Sequence, residues 1–161
     1  MNALSKIIIF ILISTFLICC NKSDNFSDIP YLEFTRYQLK DSVDALGNIT
    51  KICELHIYFT DGDGDIGLFE DDTIPPYDYN LFVNYFEMQQ DTFLKIDISP
   101  PYHIRIPDLM PSGQNKTLKA VLKYDMDITY RNSNVVRFEL KLFDRSLNES
   151  NWIITPSINV N

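Results

Sequence analysis

Glycine, histidine and cysteine are scarce in this chain of 161 residues, which contains five, two and three of them respectively. Basic residues are also a minority, since 14 lysines and arginines stand against 22 aspartates and glutamates, for a formal net charge of −8. An acidic chain without a basic cluster is not expected to bind nucleic acid. The sequence also lacks the Gly-x-Ser-x-Gly and His-Glu-x-x-His motifs of common hydrolases, so we expect no enzyme. Glycoside chemistry by the adjacent Asp71 and Asp72 is the weakest alternative, because a turn-rich loop does little to bury them.

Long hydrophobic runs are few as well. The longest covers the twelve residues 7–18 and is interrupted only by Ser14 and Thr15. Spanning a bilayer takes about 20 apolar residues, so this run is too short for a membrane helix. It follows a short start that carries one lysine, and polar residues follow it. This pattern is typical of a secretory signal peptide.

The end of that run, Leu-Ile-Cys-Cys at residues 17–20, resembles the lipobox of bacterial lipoproteins. The resemblance implies that residues 1–19 are removed and that Cys20 is acylated and begins the mature chain. Two or three acyl chains would anchor the protein firmly in the bacterial cell envelope, at the outer membrane or cell surface. Residues 20–29 then form a polar tether and residues 30–161 one folded domain. An ordinary signal peptide without lipid is the alternative.

From Pro30 onward, apolar and polar residues alternate, and no stretch has a sustained helical period. Cys53 falls on an apolar face of this pattern and is therefore expected to be a small core residue. The alternation predicts an all-β protein, an antiparallel β-sandwich of about seven strands of the Ig-like or fibronectin type III-like kind. The predicted strands cover residues 31–39, 49–59, 79–88, 93–98, 117–126, 135–143 and 152–160.

Two segments resemble known families. Residues 138–151 resemble the end of a fibronectin type III or bacterial Ig-like domain, in which a strand runs into Asp-x-x-Gly-Asn-x-Ser, although Leu147 replaces the glycine. Residues 59–67, Phe-Thr-Asp-Gly-Asp-Gly-Asp-Ile-Gly, resemble a loop of poorly characterised bacterial surface lipoproteins that contain such domains. On a fibronectin-like path, the loops after strands two and six and the crossover after strand four meet at one end of the sandwich.

The second of these segments lies in an acidic stretch. Between Lys51 and Lys95 there is no lysine or arginine, yet there are ten carboxylates. Glycines separate Asp61, Asp63 and Asp65, and glycine allows the tight turns that let three carboxylates converge. Convergent hard oxygen ligands are what calcium requires, so we predict a calcium site. The spacing does not fit an EF-hand, and a solvated acidic turn is the alternative.

Two residues after strand six are expected to complete that site. The shared end of the sandwich would bring Asp144 and Asn148 beside the acidic loop, where a carboxylate and an amide oxygen could join the coordination shell. Both residue types are also common in turns, and Arg145 could instead offset the acids by an ion pair.

The function predicted from these features is that of a lipid-anchored binding or assembly module of the cell envelope, stabilised by calcium. Its partner would be an envelope protein or a glycan. The alternative is a glycan-binding surface module, for which exposed aromatics should form one platform from among Tyr77, Tyr79, Tyr85, Tyr102 and Trp152. The crossover at residues 100–113, with His103, Arg105 and Asp108, is either a ligand-contacting loop or an extended connection fixed by its prolines.

Overall fold

The structure is a computed structural model that describes residues 26–109 and 116–160. The predicted signal peptide, Cys20 and most of the tether lie outside the described residues. Within those two ranges every regular element is a β-strand, and none of the chain there forms a helix long and apolar enough to cross a membrane.

Eight strands make up the fold in the described part of the chain. They are β1 (Tyr31–Val43), β2 (Ile49–Asp61), β3 (Leu81–Gln89), β4 (Thr92–Ile96), β5 (Leu118–Asp127), β6 (Val135–Leu142), β7 (Ile153–Ile154) and β8 (Ile158–Asn159).

The strands form two antiparallel sheets that share one core. The first sheet has the order β1-β2-β5, and the second has the order β4-β3-β6-β7, with β8 also paired to β6. Buried side chains of β2 and β6, such as Leu55 and Phe138, belong to a single hydrophobic cluster. The all-β prediction is confirmed, and the paired sheets are consistent with the predicted β-sandwich.

Alternation along the chain positions the core. In β6, Val136, Phe138, Leu140 and Leu142 are buried while the residues between them are partly exposed. A strand presents successive side chains to opposite faces, so one face of β6 packs on the core and the other faces outward. Cys53 of β2 is fully buried and free, and burial raises the pKa of its thiol to about 12, as befits an inert core residue.

The last predicted strand, residues 152–160, is instead two short strands separated by Pro156. Proline has no backbone N–H to donate to a ladder, which favours a break at this point. Thr155 fills the gap, because its backbone N–H donates to the carbonyl of Phe138 (2.9 Å) and its Oγ1 accepts from the N–H of Phe138 (3.0 Å).

The outer face of β2 also differs from a simple solvated face. His56 is only 3% exposed, and its Nε2 lies 2.5 Å from Glu54 Oε1. Lys40 Nζ lies 2.8 Å from the other oxygen of Glu54. Hydrogen bonds from Lys40 and His56 lower the pKa of Glu54 to about 2. The histidine therefore belongs to a polar network on the sheet surface.

Phe138 tests the core assignment, because it is fully buried and contacts the rings of Tyr85 and Tyr102. We expect Phe138→Ala to lower the free energy of unfolding by about 3 to 5 kcal/mol, as for other large-to-small core changes. Leu94→Ala on the edge strand β4 removes a side chain that is 45% exposed and should change stability by no more than about 0.5 kcal/mol. Urea unfolding followed by circular dichroism measures both, and equal effects would contradict the assignment.

Candidate metal centre

Three aspartates meet at one end of the sandwich. Asp61 is the last residue of β2, Asp65 follows it in the acidic loop, and Asp144 lies just beyond the end of β6. Each of the three offers a carboxylate oxygen, and these oxygens lie within 4.8 Å of one another. Asp61 and Asp144 are buried and Asp65 is half-buried. The ends of two strands from different sheets therefore fix a compact acidic cluster.

Three carboxylate oxygens at this end have no hydrogen-bond partner within residues 26–109 and 116–160. They are the buried Oδ1 atoms of Asp61, Asp63 and Asp65. In Asp61 and Asp65 the second oxygen is satisfied by the protein: Asp65 N–H donates to Asp61 Oδ2 (2.9 Å), and Ser146 Oγ donates to Asp65 Oδ2 (2.7 Å). Buried polar atoms are nearly always paired, so these oxygens are free to accept a cation in the cluster.

Burial and mutual repulsion dominate the electrostatics of the cluster. The pKa of Asp61 is raised to about 7, first by burial and then by the charges of Asp63 and Asp65. The pKa of Asp63 is also raised, by burial and by the charges of Asp65 and Asp28. Each of these shifts means that a negative charge is disfavoured here unless a cation compensates it.

Asn148 orients Asp144. The backbone N–H of Asn148 donates to Asp144 Oδ1 (2.7 Å), and its side-chain amide donates to Asp144 Oδ2 (2.8 Å). Leu147 takes a left-handed φ of 63°, which is the conformation that the glycine of the resembled motif would adopt. The structure thus brings Asn148 to the site as predicted, but as a residue that holds the carboxylate of Asp144 through its amide N–H.

The same turn occurs a second time in the molecule, between β1 and β2. There Asn48 donates its backbone N–H and its side-chain amide to the two oxygens of Asp44, and Gly47 has the positive φ. These hydrogen bonds lower the pKa of Asp44, whereas burial and the charges of Asp65 and Asp63 raise the pKa of Asp144 in spite of equivalent bonds. The turn alone therefore does not produce the electrostatics of the acidic cluster.

The glycines of the acidic loop allow other segments to pack closely against it. A Cβ on Gly62 would overlap the backbone of Phe26, and the N–H of Gly62 donates to the carbonyl of Ser27 (2.8 Å). Gly64 has a φ of +69°, and a Cβ there would overlap the backbone carbonyl of Lys116. The sequence predicted that the glycines allow tight backbone turns. In the structure they also allow neighbouring segments to pack closely against the loop.

Arg145 does not pair with the acidic cluster but joins it to the crossover. Its Nη1 donates to Asp108 Oδ1 and to the carbonyl of Gly67, both at 3.0 Å, and its guanidinium lies over the ring of Phe69. Its backbone N–H donates to the carbonyl of Asp65 (3.2 Å). The prediction that the loops after β2 and β6 share one end with the crossover is confirmed.

Other crossover residues serve structural contacts. His103 Nδ1 accepts from the N–H of Val83 (3.1 Å), and Arg105 donates to the carbonyls of Phe69 and Asp72. The hydroxyl of Tyr102 bonds to the carbonyl of Asp127. In the described part of the crossover, these contacts favour the interpretation as an extended connection.

The five aromatics proposed for a glycan platform do not lie together on the surface. Tyr85 is buried in the core, and Tyr102 packs against it and against Phe138. Tyr77 and Tyr79 are half-buried, whereas Trp152 is 49% exposed. Of the set, Trp152 is the one with a largely open ring.

No family model, no curated protein and no solved structure matches this chain.

Gly64 provides a test of the close packing at the cluster, with Gly47 as its matched control. Both have a positive φ, but a Cβ on Gly47 would meet nothing within 4 Å. We expect Gly47→Ala to cost about 1 to 2 kcal/mol, because it places an L side chain in the left-handed region. Gly64→Ala adds a steric overlap and should cost about 1 to 3 kcal/mol more. Equal costs in urea unfolding would show that the loop is not packed as described.

Proposed function

We propose that this protein is a lipid-anchored binding or assembly module of the bacterial cell envelope, and that a calcium ion bound by the acidic cluster stabilises its fold. The observation that carries the calcium proposal is the set of three buried Oδ1 atoms, of Asp61, Asp63 and Asp65, that have no partner in the part of the chain that the structure describes. Leaving buried charged groups unpaired is costly, and a bound cation removes that cost.

The donor set favours calcium over other ions. The candidate ligands are all carboxylate oxygens, from Asp61, Asp65 and Asp144, with Asp63 adjoining them. Oxygen-only sites suit hard cations, whereas zinc and copper prefer sites with histidine or cysteine. Calcium accepts irregular shells of several protein oxygens, while magnesium requires near-octahedral geometry and keeps its waters. In this proposal Asn148 positions the carboxylate of Asp144 and is not itself a ligand.

The strand order supports the narrower proposal of a fibronectin type III-like or Ig-like sandwich. Strands β1, β2 and β5 form one sheet, and β3, β6 and the C-terminal strands form the other. This arrangement resembles the partition between the A, B and E strands and the C, F and G strands of Ig-like folds, with β4 as an added strand beside β3. Many cell-surface domains share this architecture, which agrees with the proposed role.

The point at which the chain enters the domain supports a calcium site close to the membrane. Ser27 bonds to Gly62 of the acidic loop, so the chain joins the domain beside the cluster. A fully extended chain covers at most about 3.6 Å per residue, so Cys20 can lie no more than about 25 Å from Ser27. With Cys20 lipidated, the part of the acidic loop that bonds to Ser27 would sit within about 25 Å of the anchor.

Calcium removal tests the metal proposal. We expect millimolar calcium to raise the melting temperature of the purified domain over that in chelator, because a ligand at a hundredfold excess over its Kd adds about 2.7 kcal/mol to native-state stability. Asp144→Asn should abolish the shift. Asp44→Asn changes the same position of the equivalent turn outside the cluster and should retain the whole shift. An unchanged midpoint, with no calorimetric heat of calcium binding, would leave a solvated acidic turn.

Replacement of Cys20 tests the anchor. We expect Cys20→Ser to release the protein from the membrane fraction and to remove metabolically incorporated acyl chains, because no acceptor thiol would remain at the start of the mature chain. Cys19→Ser is the matched control and should stay membrane-bound, since Cys19 leaves with the signal peptide. Tight membrane association of the Cys20→Ser protein would contradict the proposed lipidation.

A further inference from the structure

A ladder of aromatic rings lies on the outer face of the second sheet. Phe82 of β3 and Phe143 beyond β6 are in edge contact, with ring centroids 5.3 Å apart at 72°. Lys141 extends this arrangement toward Trp152, because its Nζ lies 5.4 Å from the ring centroid of Phe143 and 5.3 Å from that of Trp152. The rings of Phe82 and Phe143 are half-buried, and Trp152 is more open.

Two adjoining cavities follow this ladder. The larger, of about 490 Å³, is bounded by Pro75, Pro76 and Leu147 on one side and by the two phenylalanine rings on the other. The smaller, of about 230 Å³, continues from the same two rings to Trp152. Phe82 and Phe143 line both cavities, and the two cavities together are called the groove. The larger cavity alone has a volume within the range of ligand sites.

A few polar groups line this mostly apolar groove. The carboxylates of Asp78 and Glu149 border the larger cavity, and Asn84 borders the smaller one. Lys141 already forms an ion pair with Glu149 while it lies against the two rings. Lys141 therefore already supplies the positive charge that these rings and the carboxylate of Glu149 attract. A cationic ligand is not expected at this position.

The negative charge of the protein and the position of the groove on a sheet face argue against two further kinds of ligand. An anionic ligand would meet the overall charge of −8 and two carboxylates at the groove itself. A peptide added as an extra strand needs a free sheet edge, but the groove lies on a sheet face where Phe82 and Lys141 are register partners in adjacent paired strands. A neutral ligand with apolar faces for the rings and hydroxyl groups for the carboxylates of Asp78 and Glu149 fits this lining.

We propose that this groove binds a neutral saccharide. The face of an aromatic ring carries partial negative charge and attracts the positively polarised C–H groups of a sugar ring. The exposed part of Trp152, beside Lys141, offers such a surface. The sugar hydroxyls would donate hydrogen bonds to the carboxylates of Asp78 and Glu149. The inference rests on the proposed function of a binding module and names the ligand class of that module.

The single tryptophan of the chain, Trp152, makes the groove directly observable by fluorescence. The full chain is purified with calcium in a detergent that carries no sugar headgroup, and it is titrated with cellotetraose, maltotetraose, chitotetraose and mannotetraose. We expect a saturable change in tryptophan emission with at least one of these neutral oligosaccharides. The melting temperature of each sample with calcium and with chelator is measured in parallel.

Variants separate specific binding from general effects. We expect Asp78→Asn to weaken saccharide binding about three- to tenfold, because a charged hydrogen-bond acceptor becomes a neutral one. We expect Phe143→Ala to weaken it about tenfold, because the ring that lines both cavities is lost. Asp91→Asn and Tyr130→Ala, which change an exposed acid and an exposed ring outside the groove, should bind as the parent chain does.

Three results would overturn the saccharide proposal: no saturable response to any of the four oligosaccharides, equal affinities for the parent and both groove variants, or a response to a polyproline peptide in place of the sugars. A calcium-dependent rise in melting temperature without a saccharide response would remove the groove proposal alone. Saccharide binding without that rise would remove the calcium proposal alone.

Discussion

Repulsion among buried carboxylates is the constraint around which one end of this molecule is organised. Asp61 and Asp144 are fixed at the ends of strands from opposite sheets, so the packing of the sandwich itself holds their charges together. The surrounding backbone closes over them, with residues 26–28 against Gly62 and Lys116 against Gly64. Such an arrangement excludes water from the charges, and without a counter-ion it opposes the folding that creates it. A bound cation would offset the repulsion among the carboxylates and, through Asp61 and Asp144, would link the two sheets.

The two equivalent turns in the chain separate local structure from site chemistry. Asp44 and Asp144 each accept the same pair of hydrogen bonds from an asparagine four residues later. Their pKa shifts nevertheless have opposite signs, because Asp44 is exposed whereas Asp144 is buried beside Asp65. The turn motif therefore fixes the orientation of a carboxylate, and its surroundings decide whether that carboxylate needs a cation. The orientation of the carboxylate can be predicted from the turn sequence, whereas its surroundings are known only from the tertiary structure.

Alternation of apolar and polar residues predicted the strands and the core of β2 and β6, since one buried face imposes a period of two. It could not predict the break at Pro156, where Thr155 replaces a ladder bond with its side chain. It also could not show that Phe82, on the outward-facing side of β3, meets Phe143 across the sheet. Such a contact depends on strand pairing, which the pattern of a single strand does not contain. The sequence Asp-x-x-Gly-Asn at residues 44–48 could, however, have predicted how the related turn at residues 144–148 is built.

The proposed metal site and the proposed groove meet at Leu147. This residue lies inside the turn that orients Asp144, and its side chain forms part of the wall of the groove. A calcium ion that holds Asp144 would also fix the turn and therefore the position of that wall. Linkage requires such a coupling to be reciprocal, so a saccharide that favours the ordered wall would bind calcium-loaded protein more tightly and would strengthen calcium binding by the same factor. If Cys20 is lipidated as proposed, the chain enters the domain beside the acidic end, so the proposed ion would order the part of the domain nearest the anchor.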